Sequence, residues 1–206
     1  MKTSIKIILF KLALFLCAVA AALAKPVVSS EYTAIPLPFA LRQDMTPAQV
    51  REAFAKLPGF HAESTKPNSD GSLPFMFFRA DSLHVNNVQL KHICVRFYKN
   101  RIAVVSVSTT PLSTFDDAEY ALVGLARFYR DTKKFPVLED SAMRAITTAA
   151  DFVNPCLISF IGLPCAVELR GFTVGSQLMI AVDYIDLEMR YIRKQDVKVQ
   201  GEALLR

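Results

Sequence analysis

The chain has 206 residues, 24 of them basic and 19 acidic, for a formal charge of +5; 52% are apolar, and tryptophan is absent. Residues 1–24 hold Lys2, Lys6 and Lys11 and no acid, so the remainder of the chain carries only +2 and gives no electrostatic case for a nucleic-acid partner. That remainder is long enough for one substantial core or two small ones, with no low-complexity tract and no Gly/Ser linker.

Three lysines, an apolar run over 12–24 and the ending Ala22-Leu23-Ala24 before Lys25-Pro26 make residues 1–24 a secretory signal peptide. The run is shorter than the roughly 20 residues of a membrane span. A lipoprotein processed at Cys17 is the less favoured reading, because the large Leu16 precedes that cysteine. Residues 25–38, with three prolines, read as an extended lead-in. In "MTPAQVREAFAKLPGF" Thr46 and Gln49 form a capping box and Pro47 opens the helix; Val50, Ala53, Phe54 and Leu57 fall on one face, and Pro58-Gly59 stops it. A polar loop over 63–72 leads to strand-like runs at 73–80, 88–98 and 102–109, with Lys99-Asn100-Arg101 as a hairpin turn. In the second run Ile93, Val95 and Phe97 share one face and His92, Arg96 and Tyr98 the other.

The order then restarts. Thr114 and Asp117 make a second capping box, and Ala118, Ala121, Leu122, Leu125, Phe128 and Tyr129 form an apolar stripe that Lys133-Lys134 and Pro136 close. Strand-like runs come next at 144–153, at 156–172 with a break at Gly162-Leu163-Pro164, and at 177–192. Between Tyr184 and Ile185 the apolar set changes face, which predicts a β-bulge or a change of sheet. The expectation is an α+β fold: two tandem helix-strand-strand-strand units, 39–112 and 113–206, with antiparallel sheets and helices packed on one face.

The stretches "MTPAQVREAFAKLPGF", "PFMFFRAD" and "LKHICVRFYKNRIAVVSVS" in the first unit resemble the BamE/SmpA-OmlA family of small periplasmic modules, over roughly residues 40–109. A tandem pair of such units resembles the architecture of β-lactamase inhibitor proteins, which present a concave sheet to a protein partner. Both resemblances imply protein binding, not catalysis, and assign a role to no individual residue.

Recognisable reaction chemistry is missing. His61, His84 and His92 lack metal-ligand spacing, so neither metal nor cofactor is expected, and no nucleophile elbow or phosphate loop occurs. Asp116, Asp117 and Glu119 suit the first turn of a helix. Asp183, between Val182 and Tyr184, reads as a buried acid, bonded to free backbone N–H groups of a bulge or else serving a hydrolase. Phe75, Phe77 and Phe78 are expected in a strand covered on both faces. The basic run 190–198 reads as a solvated face. Cys156 and Cys165 bracket a turn and are the disulfide candidate, which leaves Cys94 as an inert thiol.

These readings point to a secreted or periplasmic non-enzymatic module that binds a protein partner through one exposed sheet face, marked by His92, Arg96 and Tyr98, as an envelope-assembly accessory or an inhibitor or immunity protein. The alternative is a small-ligand or lipid carrier whose cavity is lined by Phe39, Phe75, Phe77, Phe78 and Phe97. A hydrolase using Asp183 stands third.

Overall fold

The computed structural model describes residues 33–63, 65, 74–139, 148–153 and 156–204. The signal-peptide residues 1–24 with Cys17, most of the lead-in and most of the 63–72 loop lie outside the described residues.

Both capping boxes form. The Gln49 N–H donates to Thr46 Oγ1 at 3.4 Å and the Thr46 N–H to Gln49 Oε1 at 2.9 Å, opening α1 (Pro47–Ala55). Thr114 and Asp117 do the same for α2 (Phe115–Arg127), with Asp116 and Asp117 complementing the helix dipole. Val50 and Phe54 of α1, and Ala118, Ala121, Leu122 and Leu125 of α2, are buried on the faces their spacing assigns. Past Arg127 the chain widens into a π turn (Phe128–Thr132), closed by the Lys133 N–H donating to the Phe128 carbonyl at 3.0 Å. The expected stripe is thus completed in a different kind of turn, and Tyr129 stays buried.

The strands are β1 (Ala34–Ile35), β2 (Phe60–Ala62), β3 (Phe75–Val85), β4 (Val88–Tyr98), β5 (Arg101–Thr109), β6 (Val137–Glu139), β7 (Ile158–Ile161), β8 (Leu163–Val174) and β9 (Gln177–Asp186). They join one sheet of order β2-β3-β4-β5-β9-β8-β7-β6, antiparallel throughout, with β1 parallel beside β8. Two hairpins turn on residue pairs with positive φ, Asn86-Asn87 (46° and 64°) and Lys99-Asn100 (49° and 59°), as two-residue loops that match the strand twist require. The fold is therefore sheet-dominated α+β, and both helix-strand runs feed a single sheet whose middle is the β5–β9 pairing around Ser106 and Asp183.

One face of the sheet carries the core. Met76 and Phe78 of β3, Ile93 and Val95 of β4, Val105 and Val107 of β5, and Ile180 and Val182 of β9 meet α1 and α2 there. Phe54 stacks on Phe78 with ring centroids 4.0 Å apart.

Five expectations are corrected. The strand expected over 177–192 ends at Asp186, whose carboxylate accepts the Met189 N–H at 2.8 Å and so caps a helix, α4 (Leu187–Leu204). The change of facing after Tyr184 is the approach to this helix rather than a bulge. Because Met189 seats α4 on the face opposite the core, beside Ile185 and Val104, the helices do not all pack on one side. The described end of the expected 144–153 strand is a short helix, α3 (Ala149–Phe152), opened by a third capping box between Thr148 and Asp151.

The fifth correction is the disulfide: Cys156 and Cys165 are not bridged. The β7–β8 register pairs Ile161 with Ala166 and Ile158 with Leu169, so Cys165 lies beside the turn while Cys156 precedes the far end of β7. About six residues of strand, roughly 20 Å, separate the two positions along the ladder, against a bridging limit of about 7 Å. Burial pushes the Cys94 thiol up to about 11 and the Cys165 thiol up to about 12. Alkylation of the native protein at pH 8 is accordingly expected to leave Cys94 and Cys165 unmodified. Denaturation without reductant should make Cys94, Cys156 and Cys165 all reactive, and mass spectrometry showing only one of them modified would restore the bridge.

Candidate functional site

Side chains on the face opposite the core fall into rows that the ladder registers dictate. Phe77, Cys94, Ser106, Asp183 and Glu168 lie side by side across β3, β4, β5, β9 and β8. The next row holds Arg79, His92, Ser108, Ala181 and Arg170. On the other side of the first lies Phe75, Arg96, Val104, Ile185 and Ala166, and it is this row that α4 covers at its β9 end.

Asp183 is the centre, only 5% exposed. The Ser106 hydroxyl donates to its Oδ1, the Arg170 Nε donates to Oδ2 at 3.1 Å, and the Arg96 Nη2 stands 3.9 Å from the same oxygen. The carboxylate is thus held by side chains from β4, β5 and β8 in an unbroken ladder, and not by spare backbone donors of a bulge. Two guanidiniums face one carboxylate, so the cluster keeps an excess of positive charge. Arg96 Nε is buried without a hydrogen-bond partner, which leaves that guanidinium undersatisfied. Arg170 also lies over the Phe172 ring, 5.3 Å from its centroid.

Around this cluster runs a shallow groove of about 310 Å³, bordered by Phe77, His92, Cys94, Arg96, Arg170 and Phe172. Phe75 and Phe77 are 43% and 41% exposed, with stacked rings 6.4 Å apart. The alternation of β3 correctly separates them from Phe78, but the expectation that both faces are covered fails, since α4 does not extend over β3.

Polar pairs add to the Met189 seat in holding α4. Arg190 pairs with Glu168 at 2.5 Å, Arg101 with Glu188 at 3.0 Å, and Asp196 accepts from the Tyr98 hydroxyl at 2.5 Å and from Lys99 Nζ at 2.7 Å. The Lys99 ammonium, and after it the Tyr98 hydroxyl, hold the Asp196 carboxyl below the usual range, and the same hydrogen bond raises the Tyr98 phenol. The basic run 190–198 is largely exposed, as expected of a solvated face, and Arg190 and Asp196 also tie it to the sheet.

Of the residues expected to mark a binding face, His92 and Arg96 border the groove, whereas Tyr98 points the same way but is engaged by α4. Ser106, Arg170 and Phe172 complete the site and were not singled out by the sequence. The five phenylalanines of the expected carrier cavity do not come together. Phe78 is in the core and Phe75 and Phe77 are on the opposite side of the sheet. Among the described residues no group of three or more His, Cys, Asp or Glu side chains could hold a metal ion, and no helix is long and apolar enough to cross a membrane. No family model matches the chain, and comparison with curated proteins and with solved structures gives no match.

Proposed function

We propose that the protein is an exported, non-enzymatic module that binds a protein partner through the sheet face not used for its core. The observation that carries this reading is the juxtaposition of the exposed Phe75–Phe77 pair with the Arg96–Asp183–Arg170 cluster on a part of the face that α4 leaves open. Exposed aromatics beside arginines on a rigid sheet have the composition of interface hot spots, and a fixed ladder lets them bind with little ordering cost. The positive excess suits a partner segment that sets a carboxylate beside an apolar anchor, the anchor against the phenylalanines and the acid against Arg96. Export rests on the leader-like residues 1–24, and the resemblance to BamE-like modules argues for the same kind of role. We also read the two helix-strand runs as related units, because the strand order β3-β4-β5 is mirrored by β9-β8-β7 about the middle of the sheet.

A photoreactive phenylalanine analogue tests the site. Installed at Phe77, it is expected to give a discrete cross-linked product in cells, and installed at Tyr120, exposed on α2, it should not. Arg96→Glu should weaken the captured interaction at least about tenfold, with an unchanged circular dichroism spectrum. Indistinguishable cross-linking from positions 77 and 120 would defeat the proposal.

A further inference from the structure

On the core side of the sheet, away from the face that carries Asp183, a pocket of about 420 Å³ opens between β1 and its following segment, β3, and the π turn. That volume lies within the ordinary range for small-ligand sites, about 300–1,000 Å³. Its wall is mostly hydrocarbon, with Leu83, Val85, Leu90 and Val107 on the sheet side. Three polar groups interrupt the apolar wall: the hydroxyls of Tyr129 and Tyr184, 2.7 Å apart, and the side chain of Lys133. Among the described residues no acid lines it.

Two departures from regular structure meet at this pocket. The π turn supplies Phe128 and Tyr129 to its wall, and such turns, which interrupt the regular helical ladder, recur at functional sites. Across from it Phe39 sits at φ 60° and Ala40 at φ 53°, a conformation non-glycine residues seldom adopt, in a turn closed by the Leu41 N–H donating to the Pro38 carbonyl. The tyrosine pair adds hydrogen-bonding capacity. Two hydroxyls carry two hydrogens and the bond between them uses one, so the pair retains a donor for a further acceptor. Burial raises both phenols above their usual range, which keeps both hydrogens in place at neutral pH. Lys133 is exposed, with its ammonium 5.4 Å from the Phe128 ring centroid, so a cation stands beside an apolar opening.

From this arrangement we infer that the pocket binds a single-chain amphipathic anion, a fatty-acid-like carboxylate, with its hydrocarbon chain among Leu83, Val85, Leu90 and Val107 and its carboxylate served by Lys133 and the tyrosine pair. Charge decides the head group: among the described lining residues one cation and no acid give a carboxylate a partner and give an ammonium none. The site is separate from the Arg96–Asp183–Arg170 face, and either can fail without the other.

Calorimetric titration of the purified, delipidated protein with laurate, dodecanol and dodecylammonium tests it. Laurate is expected to bind one to one with a negative heat-capacity change, and dodecylammonium not to bind. Lys133→Ala should weaken laurate about tenfold while leaving dodecanol unaffected, and Tyr184→Phe should weaken both. Val85→Trp, which fills a half-buried position in the wall, should abolish laurate binding while the thermal transition persists. Absence of saturable laurate binding to the folded protein would overturn the inference, and so would laurate affinity indifferent to Lys133→Ala and Val85→Trp.

Discussion

Replacing Gly171 by alanine is expected to destabilise the protein by about 3 kcal/mol or more, a fall of roughly 6–12 °C in Tm for a chain of this size. A Cβ at this position of β8 would stand 2.0 Å from the Phe152 carbonyl oxygen and 2.7 Å from its ring. Glycine is needed here for close approach, since it lets α3 seat Phe152, wholly buried, directly on the strand. In a strand without such contact, alanine would restrict the unfolded chain and stabilise by about 0.4–1 kcal/mol. The steric term exceeds that because backbone, not a flexible side-chain end, occupies the space. Gly175 is the control. It has φ 61° but nothing within 4 Å of the added atom, so Gly175→Ala should cost only the left-handed backbone penalty of about 1–2 kcal/mol. Thermal unfolding followed by circular dichroism compares the two, and a Gly171→Ala protein as stable as Gly175→Ala would refute the close-approach account.

The second large effect is expected at Arg170. Arg170→Met keeps the hydrophobic stem but leaves Asp183, 5% exposed, without its nearest cation. Removing one partner from a buried ion pair costs about 3–5 kcal/mol, and the figure here should be nearer 2–3 kcal/mol because Ser106 still donates and Arg96 stands 3.9 Å away. Asp183→Asn should cost less, since both guanidiniums keep side-chain exposures of 34% and can turn to water. The double variant Arg170→Met/Asp183→Asn should recover about 1–2 kcal/mol relative to the sum of the two single changes. Urea midpoints measure the cycle, and strict additivity would mean that the pair seen on the sheet does not hold the charge.

Local chemistry made part of this structure readable in advance. Thr46 with Gln49 and Thr114 with Asp117 lie three residues apart, so their capping boxes follow from sequence alone, as does the alternation that separates His92 and Arg96 from Ile93 and Val95. Asn86-Asn87 could have been read as a hairpin turn, but polar Asp81 and Ser82 hid the continuation of β3 past Ala80. Leu187, Met189 and Tyr191 imitate strand alternation, and the better signal was Asp186 as a cap with Glu188 in the first turn. The site itself depends on register. The Val174–Gln177 pairing beside Gly175 brings Arg170 opposite Ala181 and so diagonal to Asp183. Ser106 reaches the same carboxylate only because two strands from opposite halves of the chain pair, and nothing local in either strand specifies that. Whether Phe75 and Phe77 are covered depends on how far α4 reaches, which is a tertiary property.

That same pairing has a kinetic side. Most neighbours in the sheet are joined by short connections and can zip from a turn, but Ser106 and Asp183 are 77 residues apart. Chain-closure entropy grows with loop length, by about 0.6 kcal/mol per doubling, so within the path β2 to β6 the central ladder is the costly one to close and the hairpins on either side of it form first. Until it closes, β5 and β9 each present a full-length strand with one unsatisfied edge, and these are the two strands at the middle of the finished sheet. The middle of the native sheet is thus the sticky edge of a chain whose two halves have not yet paired, where pairing with a second chain competes with pairing at home.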